Sequence, residues 1–268
     1  MTAFLNHLAF EFRTGIRDKQ MLFVNYLFPL AFYLMMGFVM IEINPTFRTS
    51  LVPAMVVLSI MFPTLMGIPD PLVQAREKGI FRSYKINGVP AASILAIPFL
   101  TTVLHVVIIS GIILLTAKPL FDAPMPVDRV AFFATILSFA FASSGMGTLI
   151  GVLSPNTTMT ILLSQLYFLP SMLLGGLMVP FSMFSGTIAG IARLLPATHA
   201  MNAFNALSMG YTADFNPLVS LLLLILSGAL SFLLAFRLFR WDKQSPIRRG
   251  QRFLAAAPLL PFLLGMMI

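Results

Sequence analysis

Charged residues are cleared from this sequence in long blocks. From Val130 to Ala192 there is no Asp, Glu, Lys or Arg. A helix needs about 20 apolar residues to cross the ~30 Å hydrocarbon core of a bilayer, so this block alone has room for two crossings. Ser154-Pro155-Asn156 is its natural break, because Pro ends a helix while Ser and Asn favour caps and turns. Over the whole chain only 10% of residues are charged, against about 25% in a soluble domain. That leaves too little polar surface to coat a water-exposed globule. The blocks predict an all-α integral membrane protein, a single transmembrane domain over residues 1–268. Six transmembrane helices are expected near residues 21–41, 49–69, 91–115, 130–153, 157–179 and 215–236.

The basic residues set the orientation. Cytoplasmic loops carry an excess of Lys and Arg. With the N-terminus cytoplasmic, thirteen of the seventeen basic residues fall inside, in clusters at 13–19, 76–85 and 237–252. Arg48, Lys118, Arg129 and Arg193 fall outside. This pattern accounts for the net charge of +8 without nucleic acid. The expected location is a cell membrane, multi-pass, with lipid as its surroundings.

Three segments are not read as spans. Phe4, Leu5, Leu8, Phe12 and Ile16 share one face at helical spacing, which predicts an amphipathic helix over 1–20 lying at the cytoplasmic interface. Residues 180–216 are apolar but interrupted by Gly186, Gly190, Pro196 and Gly210. They read as re-entrant helices in the outer leaflet between spans five and six. The tail 253–268 has 16 residues, an α-helix of only ~24 Å, and it contains Pro258 and Pro261. An interfacial or half-inserted tail is favoured over a seventh span.

Enzyme chemistry finds no support. None of the five lysines follows a glycine, so there is no GxxxxGK[ST] phosphate loop. HExxH and GxSxG are absent, and with no cysteine there is no thiol nucleophile or Cys-based metal site. No metal-binding set is expected. The nine carboxylates fall where loops or helix ends are predicted. Ion-coupled transporters need an ionisable group near mid-membrane. His105 is the one titratable group well inside a span, read either as a neutral imidazole bonded between helices or as a relay or substrate contact.

The loop after the second span is the richest in chemistry. Arg76, Glu77, Lys78, Gly79, Phe81, Arg82 and Tyr84 alternate charge with aromatic anchors, as suits a short helix presented to a partner or an ordinary basic cytoplasmic loop. Three stretches then resemble one family. Ile16-Arg17-Asp18-Lys19-Gln20, leading to Leu27-Phe28-Pro29-Leu30, resembles its approach to the first span. Glu77-Lys78-Gly79-Ile80-Phe81-Arg82, followed by Gly88-Val89-Pro90, resembles its cytoplasmic E-x-G-T loop, with Ile80 where Thr is usual. Pro170, Gly175-Gly176 and Pro180, followed by Leu195-Pro196-Ala197-Thr198, resemble its pattern around the fifth span. The family is that of the type-2 ABC exporter membrane subunits, the ABC-2 permeases, nearer to drug and antibiotic exporters.

The resemblance implies a permease subunit that forms the translocation path with a second copy or a paralogue. Separate ABC ATPase subunits would bind the ATP and Mg, and this chain would hold no cofactor of its own. Residues 76–85 would be the main coupling helix and Ser154-Pro155-Asn156 a second contact. Pro170, Gly175, Gly176, Pro180 and Pro196 would line the path or simply allow close packing. A hydrophobic or amphipathic cargo such as a drug or antibiotic is implied. The alternatives are a stand-alone secondary transporter or channel, or a membrane component with no transport role.

Overall fold

The computed structural model describes residues 13, 18–242 and 249–266, and every regular element among them is helical. Of the amphipathic helix expected over 1–20, all but residues 13 and 18–20 lies outside the described residues. Six helices are long and apolar enough to cross a membrane. They are α1 (Phe23–Ile43), α2 (Phe47–Glu77), α4 (Ala91–Phe121), α5 (Arg129–Leu153), α6 (Thr157–Leu174) and α9 (Pro217–Leu238). Between them lie the short helices α3 (Ile80–Ile86), α7 (Gly186–Arg193) and α8 (Pro196–Ala203). The six long helices run alternately up and down. We call the end holding α3 and the α5–α6 loop the lower end, and the end holding α7 and α8 the upper end.

Helices α2 and α5 form the centre, with 83% of their most apolar windows buried, against 22% for α1. Small residues permit this. A Cβ on Gly147 of α5 would sit 2.0 Å from the Thr64 carbonyl oxygen of α2. A Cβ on Gly228 of α9 would meet the Phe141 ring of α5 at 2.5 Å. Thr64 and Ser143 join their hydroxyls across the α2–α5 contact. α1 and α4 leave apolar faces outward, including Leu27, Phe38, Leu104 and Leu115, as a lipid-facing rim would.

Two of the long helices are irregular. α1 widens into five-residue π turns at Phe23–Leu27 and Met36–Met40, and α2 does so at Pro63–Gly67. Pro63 has no N–H to donate, and Ile68 N–H reaches back to the Pro63 carbonyl at 3.1 Å. Beyond this turn α2 continues to Glu77, past the expected end near residue 69. Asp70 and Arg76 are therefore helical rather than loop residues, and the Asp70 carboxylate accepts from Gln74 Nε2 at 2.7 Å. α6 in turn stops at Leu174, short of residue 179. Gly176 takes a left-handed φ of 86° that ends the helix.

The tail follows a path that α-helical arithmetic does not anticipate. Arg249–Leu259 is a 3-10 helix continued by the α-helix Leu260–Gly265. Leu254 and Ala255 pack in the lower cluster with Leu153 and Ala235. The Ala255 carbonyl accepts from the Tyr167 hydroxyl, and the Pro258 carbonyl accepts from Ser227 Oγ at 2.8 Å in mid-bundle. The Phe262 ring lies 4.8 Å from that of His199 at the upper end, tilted by 35°. Met266 lies 3.8 Å from the position of a Cβ on Gly190. At about 2.0 Å per residue a 3-10 helix is longer than an α-helix of equal length. Eleven such residues and six α-helical ones span about 31 Å in all. The tail thus traverses the bundle beside α6 and α9 instead of lying across its lower face.

Candidate functional site

The lower end is built from two loops joined by one side chain. α2 ends at Glu77, and Gly79 turns the chain with φ 74°, in the left-handed region that favours glycine. α3 follows and is closed by a Schellman motif: Val89 N–H bonds the Tyr84 carbonyl at 2.9 Å and Gly88 N–H bonds that of Lys85 at 3.2 Å. Gly88 supplies the second left-handed φ, 71°. Two glycines thus fold α3 back under the bundle as a separate short rod.

The α3 side chains divide sharply. Phe81 is buried against Phe239 at 5.3 Å, and Phe239 meets Trp241 at 5.2 Å. Glu77, Lys78, Arg82 and Lys85 are exposed, and Ile86 is 80% exposed. Tyr84 is half-buried. Of the residues expected to meet a partner, Phe81 therefore anchors α3 to its own chain, while the charged residues face outward.

Arg76 also departs from the expected contact role. It is 5% exposed, and its guanidinium donates to the carbonyls of Gly151 at 3.3 Å and Val152 at 3.0 Å, and to that of Ser154. These belong to the last turn of α5 and the residue after it. The last carbonyls of a helix have no partner within the helix and carry its negative dipole end. A buried cation facing three of them is a C-terminal cap supplied from another helix. Ser154 is fully buried, Pro155 is half-buried and Asn156 is exposed. The Asn156 Oδ1 accepts from Met159 N–H at 2.9 Å and caps α6. Through Arg76 the ends of α2 and α5 are hydrogen-bonded to one another.

The other singled-out residues lie higher in the bundle. His105 Nδ1 shares a 2.6 Å hydrogen bond with the Tyr26 hydroxyl of α1. Pro170 lies inside α6. A Cβ on Gly175 would stand 2.9 Å from Ala197 Cβ, so this glycine lets α8 approach the end of α6. Pro180 precedes a 3-10 turn at Phe181–Met183, and Pro196 opens α8, where its missing N–H costs nothing.

Near Pro196 the upper end holds a polar cluster that the sequence reading did not single out. His199 Nε2 lies 2.8 Å from the Arg193 carbonyl and Nδ1 lies 3.3 Å from Ser220 Oγ. Asn202 accepts from Asp214 N–H at 3.0 Å and donates to the Phe215 carbonyl at 2.8 Å. Arg193 lies over the Phe181 and Phe215 rings at 5.8 and 5.4 Å. Burial pushes the His199 imidazole down to about 4, against the raising effect of its bond to the Arg193 carbonyl. The spacing Arg193, His199, Asn202 on short apolar helices was the available signal.

These features define a polytopic helical membrane protein with one end shaped by a short, charged, self-anchored helix. An ABC-2 type transporter family model matches residues 2–209, and the chain belongs to that family. Over 193 residues it is 26% identical to "Putative transport permease YvfS" of Bacillus subtilis (strain 168), covering 70% of this chain and 78% of that one. No solved structure matches. The chain is accordingly a multi-pass membrane permease subunit of an ABC transporter, and its family implies association with ABC ATPase subunits.

Proposed function

We propose that this permease exports a hydrophobic or amphipathic cargo, such as a drug or antibiotic, and that its lower end is the ATPase-docking surface. The observation that carries the reading is the Arg76 cap, which ties the end of α2, from which α3 departs, to the Ser154-Pro155-Asn156 loop. Glu77, Lys78, Arg82 and Lys85 would meet the ATPase, with Asn156 as the smaller contact. ATP and Mg would be bound by that partner. The N-terminus and the lower end would be cytoplasmic, since 76–85 and 237–252 hold most of the basic residues. The first 20 residues would lie at the inner interface. α7 and α8 would sit in the outer leaflet as re-entrant helices, α8 shielded by α5 and α9 and α7 packed on α6 and α8. Two such chains, identical or paralogous, would pair around the path, with membrane lipid against the remaining faces.

The test is affinity purification of the tagged full-length chain from its host membrane. An ABC ATPase recovered in equal amount is the expected result. An intact chain that purifies without any ATPase would overturn the docking assignment.

A further inference from the structure

A cavity of about 260 Å³ lies between α1, α2 and α4 and is floored by α3. We propose that it is a binding site for a neutral amphipathic molecule with a hydroxyl-bearing head, and that its occupant touches α3 directly. The second half of this proposal rests on the docking role given to α3; the first half does not.

The helices around the cavity are irregular at the same level. α1 makes its π turn at Phe23–Leu27 and turns Asn25 inward, 5% exposed, while Phe23 and Leu27 on either side are exposed. α2 makes its π turn at Pro63–Gly67, and both end residues line the cavity. α4 carries Pro98 on the facing wall. Such turns occur frequently at functional sites, and here two of them face one space.

The lining fixes the chemistry of the occupant. Ile68, Leu72, Ile94 and Ile97 give apolar walls. The deep end holds Asn25, Thr101, Thr102 and His105. Thr101 Oγ1 already donates to the Ile97 and Pro98 carbonyls at 3.1 and 3.0 Å, so it presents lone pairs to an incoming donor. Asn25 offers both a donor and an acceptor. A hydroxyl satisfies both. Among the described lining residues there is no Lys or Arg, and Asp18 at the rim is the one carboxylate. An ionised head carried to the deep end would lose its water without gaining a counter-charge, which is prohibitive in an apolar interior. At the other end Ile80, Phe81 and Tyr84 of α3 form the floor. An occupant therefore presses on the rod whose opposite side carries the exposed Arg82.

The chain contains no cysteine, so Ser93→Cys, at the cavity wall, provides a single site for a bimane label. Labelled full-length permease in nanodiscs is titrated with monoolein, oleylamine and oleate, which share one chain and differ in head charge. Saturable binding of monoolein, at least tenfold tighter than either charged analogue, is expected. It is lost when Ala75→Phe fills the cavity from α2, or Thr101→Phe fills it from α4, in protein whose unfolding midpoint is unchanged. A linear, non-saturating response to all three, equal or tighter binding of a charged analogue, or full binding in a folded filled variant would each overturn the site. None of these readings depends on an ATPase, so failure here is separable from failure of the docking role. In the assembled complex, monoolein should change the ATPase rate at least twofold, and an unchanged rate with binding intact would overturn the contact with α3.

Discussion

Replacing Arg76 with alanine would strip the cap from α5 and loosen the joint between the two lower loops. The guanidinium is buried and faces the carbonyls of Gly151, Val152 and Ser154. Each buried carbonyl left unpaired costs about 1–3 kcal/mol, and water entering the vacated space recovers part of that. A loss of about 3–5 kcal/mol in unfolding free energy is expected for three such carbonyls, partly rehydrated. Arg76→Lys keeps the charge but only a single donor centre and should lose about 1–2 kcal/mol. The assay is equilibrium unfolding of the purified chain in mild detergent, with labelling of Asn156→Cys as a local reporter. That thiol should react faster in the Arg76→Ala background. A stability change under about 0.5 kcal/mol with unaltered labelling would refute the capping argument.

Other substitutions separate packing from contact. Glu77→Arg alters an exposed charge, so it should leave stability within about 0.5 kcal/mol while lowering the ATPase activity of the assembled complex. Phe81→Ala removes a buried anchor and should cost about 3–5 kcal/mol of stability before any effect on coupling is read. Gly147→Ala drives a methyl into the Thr64 carbonyl and should abolish stable folding, whereas Gly111→Ala meets nothing within 4 Å and should be neutral or slightly stabilising in a thermal melt. His199 is held neutral, with its folded pKa near 4 below the unfolded value of about 6.5. Between these values the unfolded chain binds the extra proton. Stability should therefore be full above pH 6.5 and fall towards pH 4, by up to about 1.4 kcal/mol per pH unit; a flat unfolding profile across that window, matching that of His199→Gln, would contradict this.

What could be read in the sequence was what depends on local composition. Charge-free blocks placed the six long helices because each span must supply its own apolar face. The end of α2 was obscured because Asp70, Gln74, Arg76 and Glu77 look like a loop, yet a helix tolerates polar residues once it approaches the bundle's end. Arg76 itself carried no local sign of its task, since the carbonyls it caps lie 75 to 78 residues away. His105 could be flagged as a lone imidazole, but its partner Tyr26 is 79 residues distant. Gly175 and Gly176 were visible as small residues, although only the approach of Ala197 and the positive φ of Gly176 separate their two roles. The tail's 3-10 path could not be read at all, because composition does not encode rise per residue.

That tail also bears on what holds the bundle together. Its carbonyls at Ala255 and Pro258 are satisfied by Tyr167 of α6 and Ser227 of α9, so the tail bridges these two helices. Hydrocarbon does not tolerate unpaired backbone groups, and a stretched, proline-interrupted segment cannot satisfy them alone. Residues 253–266 would therefore depend on their place in the bundle rather than on their own hydrophobicity. One stretch of chain thus ties the two ends of the bundle together, with Ala255 in the lower cluster and Phe262 beside His199.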